Sequence, residues 1–118
     1  MAYDAVRHVV VLFGGDNAND NAFVRYGDTW EWDGAAWVMR STTGPSARNL
    51  AAMAYDAAHA KTILFGGFSN SGKQSDTWVW DGTNWQQRFP ASSPSPRAYH
   101  GMAYDSARGR VVLFGGNI

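Results

Sequence analysis

Basic and imidazole side chains are the residues of this chain that are best suited to contact a ligand or move a proton. The three histidines, His8, His59 and His100, do not have the spacing of a metal-binding motif. His8 and His59 fall in predicted turns, and His100 is a candidate ligand contact with a structural hydrogen bond as the alternative. The sequence shows no nucleophile–base pair and no paired carboxylates. We therefore expect no catalytic residue, no metal, no cofactor and no enzymatic activity.

The acidic and asparagine-rich segment at residues 16–21 resembles half of a calcium-binding loop. Its third position is Ala18, which offers no side-chain oxygen, and its twelfth is Gly27 instead of the expected Glu. We therefore interpret the segment as a polar surface loop.

Two loops of unequal length provide further candidate ligand-binding residues. One spans residues 16–27 and the other residues 68–75, between motifs that are otherwise repeated. Loops that vary on a constant scaffold commonly carry binding specificity. Arg25 and Tyr26 in the longer loop and Lys73 in the shorter one are therefore candidate ligand-binding residues.

The six tryptophans could stack on sugars or bases, but their spacing favours packing. They form three pairs at corresponding places in a repeated pattern: Trp30 and Trp78, Trp32 and Trp80, Trp37 and Trp85. Recurrence in register is typical of side chains that pack between successive structural units.

The repeated pattern covers nearly the whole chain. The sequence Met-Ala-Tyr-Asp begins at residues 1, 53 and 102, so its spacings are 52 and 49 residues. Two further motifs recur in the same order: an apolar run ending in Gly-Gly at 11–15, 63–67 and 112–116, and Asp-Thr-Trp-x-Trp-Asp-Gly at 28–34 and 76–82. A period near fifty indicates a repeat architecture.

Short strands separated by turns account for each unit. Val9–Phe13 is an apolar run, which predicts a strand buried on both faces, and Thr29–Trp32 alternates between two faces. Asp33-Gly34 predicts a tight hairpin. Further strands are predicted at Trp37–Arg40, Asn49–Tyr55, Trp85–Arg88 and Ala98–Tyr104. No stretch has a helical period, so the fold class is all-β.

These motifs resemble the kelch repeat: an arginine that opens the inner strand, a strand that ends in Gly-Gly, and spaced aromatic residues. One unit has Arg48, Gly66-Gly67, Trp80 and Trp85, and the next has Arg97, His100 and Gly115-Gly116. The resemblance implies a kelch-type β-propeller built from four-stranded antiparallel blades. About two and a half blades are expected per chain, at residues 1–52, 53–101 and 102–118.

The resemblance also adds Arg48 and Arg97 to the candidate ligand-binding residues. In some kelch propellers the corresponding arginine faces the central channel and contacts an acidic ligand. Hydrogen bonding to carbonyls of neighbouring blades is the structural alternative.

Ten basic and ten acidic residues give a net charge of zero, which argues against nucleic acid or an anionic membrane as a partner. The chain has no cysteine and begins without a signal-peptide pattern, and its compartment is not indicated.

Kelch propellers usually close with five to seven blades. We therefore expect a non-enzymatic interaction or scaffold module that self-associates, with three chains giving six blades, and that binds a protein or glycan. The alternative is a fragment of a larger kelch-containing enzyme or glycan-binding protein.

Overall fold

A computed structural model describes residues 1–118, and all of its regular elements are β-strands. The all-β prediction is confirmed. The structure contains no helix that could span a membrane. In chain order the strands are β1 (Ala2–Asp4), β2 (Val9–Phe13), β3 (Thr29–Trp32), β4 (Trp37–Ser41), β5 (Arg48–Asn49), β6 (Ala52–Asp56), β7 (Lys61–Phe65), β8 (Phe68–Ser69), β9 (Gly72–Lys73), β10 (Thr77–Trp80), β11 (Trp85–Arg88), β12 (Gly101–Asp105) and β13 (Arg110–Phe114).

Two four-stranded antiparallel sheets form the body of the molecule. Sheet 1 has the order β1-β2-β3-β4, and sheet 2 has the order β6-β7-β10-β11. A third unit, the C-terminal hairpin, consists of β12 and β13 alone. In a small loop sheet, β5-β8-β9, the strand β5 from the connection between sheets 1 and 2 pairs with β8, and β8 and β9 belong to the connection between β7 and β10 of sheet 2. The strands β1, β6 and β12, each at an edge of its sheet, are neighbours in space, so the three units follow one another in chain order.

The two Asp-Gly sequences make equivalent hairpin turns, as predicted. Trp32 pairs with Trp37 across the first turn, and Gly34 has a φ of 101°. The Asp33 carboxylate accepts hydrogen bonds from the backbone N–H groups of Ala35 and Ala36, at 2.8 and 2.9 Å. Aspartate thus closes the turn with its side chain while glycine supplies the left-handed backbone.

The strands predicted at Asn49–Tyr55 and Ala98–Tyr104 were wrong in their extent. Leu50 and Tyr99 interrupt them in the left-handed region, with φ of 61° and 63°. The chain changes sheets at the first interruption, because β5 pairs with β8 in the loop sheet whereas β6 pairs with β7 in sheet 2. Non-glycine residues rarely adopt this conformation, so the sequence carries no signal for it.

The hydrophobic core lies between sheet 1 and sheet 2. Val11, Met53, Leu64 and Trp80 form its centre, and Trp80 is 1% exposed. In β2 only Val11 is fully buried, so the prediction that this whole strand is buried on both faces was wrong. The reason is that sheet 2 covers one face of sheet 1, while no other unit of the chain packs against the opposite face.

Two tryptophans of sheet 2, Trp80 and Trp85, pack against sheet 1. The Trp85 indole donates a hydrogen bond to Thr29 Oγ1 (2.8 Å) and lies edge-on to Phe13, with the ring centroids 5.5 Å apart. Their counterparts, Trp32 and Trp37, lie on the uncovered face of sheet 1, where Trp37 is 44% exposed. The recurrence of the tryptophans therefore predicted packing correctly for the sheet 2 pair.

Candidate functional site

The connections that follow the glycine pairs enclose an open cleft of about 370 Å³. The loop sheet contributes Phe68 and Lys73, and the segments that enter β6 and β12 contribute the two left-handed residues, Leu50 and Tyr99. The Tyr99 N–H donates to the Leu50 carbonyl (3.2 Å), which ties the two segments together at the cleft. The remaining lining residues are Arg25, Asn49 and Asn117.

Arg25 is held firmly at this cleft. Its guanidinium lies 4.7 Å from the ring centroid of Phe23 and 4.9 Å from that of Phe68. Its Nε donates to Asn49 Oδ1 (3.2 Å) and its Nη1 to Asn70 Oδ1 (2.9 Å). A guanidinium has five N–H donors, so the Nη2 group remains available to an acceptor in the cleft.

Lys73 is the second cation of the cleft, and its Nζ donates to Asn117 Oδ1 at 3.3 Å. Tyr99 adds an aromatic ring that is 69% exposed. Two cations, exposed aromatic surface and amide groups together suit an acidic or hydroxyl-rich ligand. The predicted residues Arg25 and Lys73 are thus brought together, whereas Tyr26 does not line this cleft.

Tyr26 instead contributes backbone contacts beside the cleft. Its N–H donates to the Gly15 carbonyl (2.9 Å), and its own carbonyl accepts from the Arg48 N–H (3.1 Å). Its side chain is 42% exposed.

Arg48 is buried, and its guanidinium donors are all engaged. Nη1 and Nη2 donate to the two carboxylate oxygens of Asp76 at 2.6 and 2.9 Å. Nη1 also donates to the Gly66 carbonyl (2.9 Å), while Nε and Nη2 bind the carbonyl and hydroxyl of Ser46. This geometry favours the structural alternative for Arg48, including the predicted carbonyl contact.

Burial raises the pKa of Asp76, but hydrogen bonds from Arg48 and Trp78 outweigh it and hold that pKa below its usual value. The carboxylate therefore remains charged at neutral pH. The resulting charge-assisted, bidentate pair is a strong type of contact.

Arg97 occupies the corresponding position one unit later and is partly exposed. It donates to the Gly115 carbonyl (2.9 Å) and to the carbonyl and hydroxyl of Ser95. No carboxylate contacts its guanidinium in this chain.

His100 is buried just before β12, and its Nε2 lies 2.8 Å from the Phe65 carbonyl. A carbonyl only accepts hydrogen bonds, so Nε2 carries the proton, and the buried Nδ1 has no partner. Burial lowers the pKa of His100, and the charge of Arg97 lowers it further, although the hydrogen bond to Phe65 acts in the opposite direction. The geometry fits the structural alternative, a neutral imidazole that joins two units.

An ion cluster around the buried Glu31 carboxylate, between sheets 1 and 2, was not predicted from the sequence. Arg7 donates to both carboxylate oxygens of Glu31, and the Trp80 indole donates to Glu31 Oε2 at 3.0 Å. Hydrogen bonding to Glu31 raises the pKa of the Arg7 guanidinium. Arg40 Nε lies 3.4 Å from the same carboxylate. The only available signal was a glutamate inside a repeated tryptophan motif, at a position where the second copy has Val79.

No protein-family model matches this sequence, and comparison with curated proteins finds no significant match. No group of three or more His, Asp or Glu side chains is placed to hold a metal ion. What the geometry offers is a cationic cleft and two open sheet faces.

Proposed function

We propose that the chain is a kelch-type β-propeller unit, with sheets 1 and 2 as whole blades and the C-terminal hairpin as half of a third. Its function is to act as a non-enzymatic interaction module that joins further copies of itself, head to tail, into a closed ring. The repeated motifs, the four-stranded antiparallel sheets and the succession of inner strands support this architecture.

The observation that carries this proposal is that sheets 1 and 2 have equivalent faces, of which the one on sheet 1 is covered and the one on sheet 2 is open. On sheet 1, Trp80 packs above Val11 and Glu31, and Gly82 lies against Arg7. The equivalent face of sheet 2 has an open cleft of about 350 Å³ instead. Its lining corresponds position by position to the covered face of sheet 1: Asp56, His59, Lys61, Ile63, Val79 and Arg88.

Sheet 1 presents the group that fits this cleft. The rings of Trp32 and Trp37 have centroids 5.5 Å apart and planes inclined by 44°. The buried pair Trp80 and Trp85 has almost the same arrangement, at 5.4 Å and 45°. Sheet 1 of one copy therefore has the shape needed to pack on sheet 2 of another, as sheet 2 packs on sheet 1 within the chain.

Such a contact joins two different surfaces, so it repeats from copy to copy and forms a ring where the rotation closes. Three copies would contribute six four-stranded sheets. The C-terminal hairpin repeats the motifs of β1 and β2, so either hairpin can complete the sheet that contains β3 and β4 at each junction.

Sedimentation velocity of the wild-type chain and two variants tests this proposal. Trp37→Ser removes an anchor of the proposed interface, and loss of a tryptophan anchor of about 2 kcal/mol raises the dissociation constant about 30-fold. Phe89→Ser is the matched control, because Phe89 is 82% exposed and lies outside both faces. We expect the control to associate like the wild type.

A wild-type chain that sediments as a monomer at all concentrations would contradict the proposal. The open faces would then belong to contacts with neighbouring blades of one longer chain, the alternative of a larger kelch-containing protein.

The loop cleft is the proposed binding site of the module for an acidic protein segment or an acidic glycan. Arrays of acidic peptides and acidic glycans, probed with wild-type chain and with Arg25→Gln, test this part. We expect binding that the substitution weakens, and signals that are identical for the two chains would exclude the cleft.

A further inference from the structure

Arg48 and Arg97 each make a similar cluster of contacts, which we call an arginine joint. The two joints are equivalent in position, and only the first is complete. Arg48 binds the carbonyl of Gly66, the hydroxyl of Ser46 and the carboxylate of Asp76. Arg97 repeats the serine and carbonyl contacts with nearly equal distances, since its Nη1 lies 2.9 Å from the Gly115 carbonyl. The second joint lacks its carboxylate.

The backbone holds both arginines in the same way. The Arg48 carbonyl accepts from Gly15 N–H and the Arg97 carbonyl from Gly67 N–H, each at 2.9 Å. The N–H groups of the two arginines donate to carbonyls of the preceding loops at 3.1 and 3.2 Å. Arg97 is thus positioned to receive a carboxylate where Arg48 binds Asp76.

Asp28 is the counterpart of Asp76 and has no arginine. The Trp30 indole donates to Asp28 Oδ2 at 2.7 Å, as the Trp78 indole does to Asp76 Oδ2 at 2.8 Å. The carbonyls of both aspartates accept from the first glycine of the preceding pair, each at 3.2 Å. The Asp28 carboxylate is therefore held in the same orientation as the Asp76 carboxylate, which binds Arg48 in the complete joint.

We propose that Arg97 of one copy binds the Asp28 carboxylate of the next copy, with the bidentate geometry of Arg48 and Asp76. This inference rests on the proposed self-association and names the contact that sets its direction and register. The C-terminal hairpin of the first copy or the β1-β2 hairpin of the second can complete the sheet at the junction. The pair forms in both cases, because the Gly115 carbonyl of the first copy and the Gly14 carbonyl of the second are equivalent acceptors for Arg97.

Open space on the C-terminal hairpin supports the same junction. A β-carbon on Gly66 would lie 2.7 Å from the Arg97 carbonyl oxygen, and one on Gly14 would collide with the Arg48 carbonyl oxygen. Gly115 has a similar left-handed φ of 79°, yet a β-carbon there would meet no atom within 4 Å. The C-terminal hairpin therefore retains the backbone shape that accommodates a following unit.

A charge-reversal cycle in the full chain tests the pair. Arg97→Glu and Asp28→Lys each place like charges at the junction, whereas the double variant restores opposite charges in every copy. Breaking a desolvated charge pair costs about 2 kcal/mol or more, so each single reversal should raise the dissociation constant about 30-fold or more. The double variant should recover most of this loss.

Asp20→Lys is the matched control, because Asp20 lies in the exposed loop and makes no side-chain hydrogen bond. Circular dichroism and tryptophan fluorescence of dilute samples check that each variant folds. If the reversals unfold the chain, the neutral cycle of Arg97→Gln, Asp28→Asn and their combination replaces them. Its two losses should then be non-additive.

The outcomes separate the two proposals. Association of the wild type with single reversals that behave like Asp20→Lys would overturn the ion pair and leave self-association standing. Additive losses in the double variant would also overturn the pair. A wild-type chain that never associates would overturn both.

Discussion

We expect the same Arg→Gln substitution to lower the free energy of unfolding by very different amounts in the two arginine joints. Arg48→Gln removes a bidentate pair with Asp76, in which the arginine side chain is 1% exposed and the aspartate 17%. Loss of one partner leaves a desolvated carboxylate uncompensated, which costs about 3 to 5 kcal/mol. Arg97→Gln removes only contacts to Ser95 and the Gly115 carbonyl, at about 1 kcal/mol.

Urea unfolding at pH 7, followed by tryptophan fluorescence at low protein concentration, measures both costs. With a slope of about 1.5 kcal/mol/M, Arg48→Gln should lower the midpoint by about 2 M or more. Arg97→Gln should lower it by less than about 1 M. Equal losses from the two substitutions would refute the reasoning, because the carboxylate would then contribute nothing to the first joint.

Two further predictions concern the glycines and the buried histidine. Gly66→Ala and Gly115→Ala share a left-handed strain of about 1 to 2 kcal/mol, but only Gly66→Ala also collides with a carbonyl. Gly66→Ala should therefore destabilise the chain more in urea unfolding, and an equal effect would contradict the crowding seen at Gly66. Because the folded-state pKa of His100 lies below 6.5, the unfolded chain binds this proton more tightly. The His100 contribution to stability should be complete above about pH 6.5 and decline as the pH falls toward the folded-state pKa. Unfolding of the wild type and of His100→Gln across this range checks it, and parallel pH profiles would contradict it.

The repeated motifs made the strands and turns predictable. Thr29–Trp32 and Val9–Phe13 are strands as expected, because alternation and apolar runs act locally. The Asp-Gly turns were likewise predictable from local backbone preferences.

Long-range partners and strained residues were beyond the sequence. Nothing local distinguishes Asp76, which binds an arginine, from Asp28, which does not, because each precedes the same Thr-Trp motif. The left-handed conformations of Leu50 and Tyr99 oppose the intrinsic preference of these residues, and at Leu50 the chain passes from the loop sheet to sheet 2. Of the candidate site residues, the loop cations Arg25 and Lys73 were proposed from loop variation alone, and the structure places both at the loop cleft.

The molar mass of the wild-type chain in solution is the most direct test of the proposed head-to-tail assembly. Light scattering on a size-exclusion column, repeated over a range of concentrations, measures it without a substitution. We predict one discrete species at a multiple of the chain mass of 12.9 kDa, with three times that mass for a ring of six sheets. A mass of 12.9 kDa at every concentration would contradict the account.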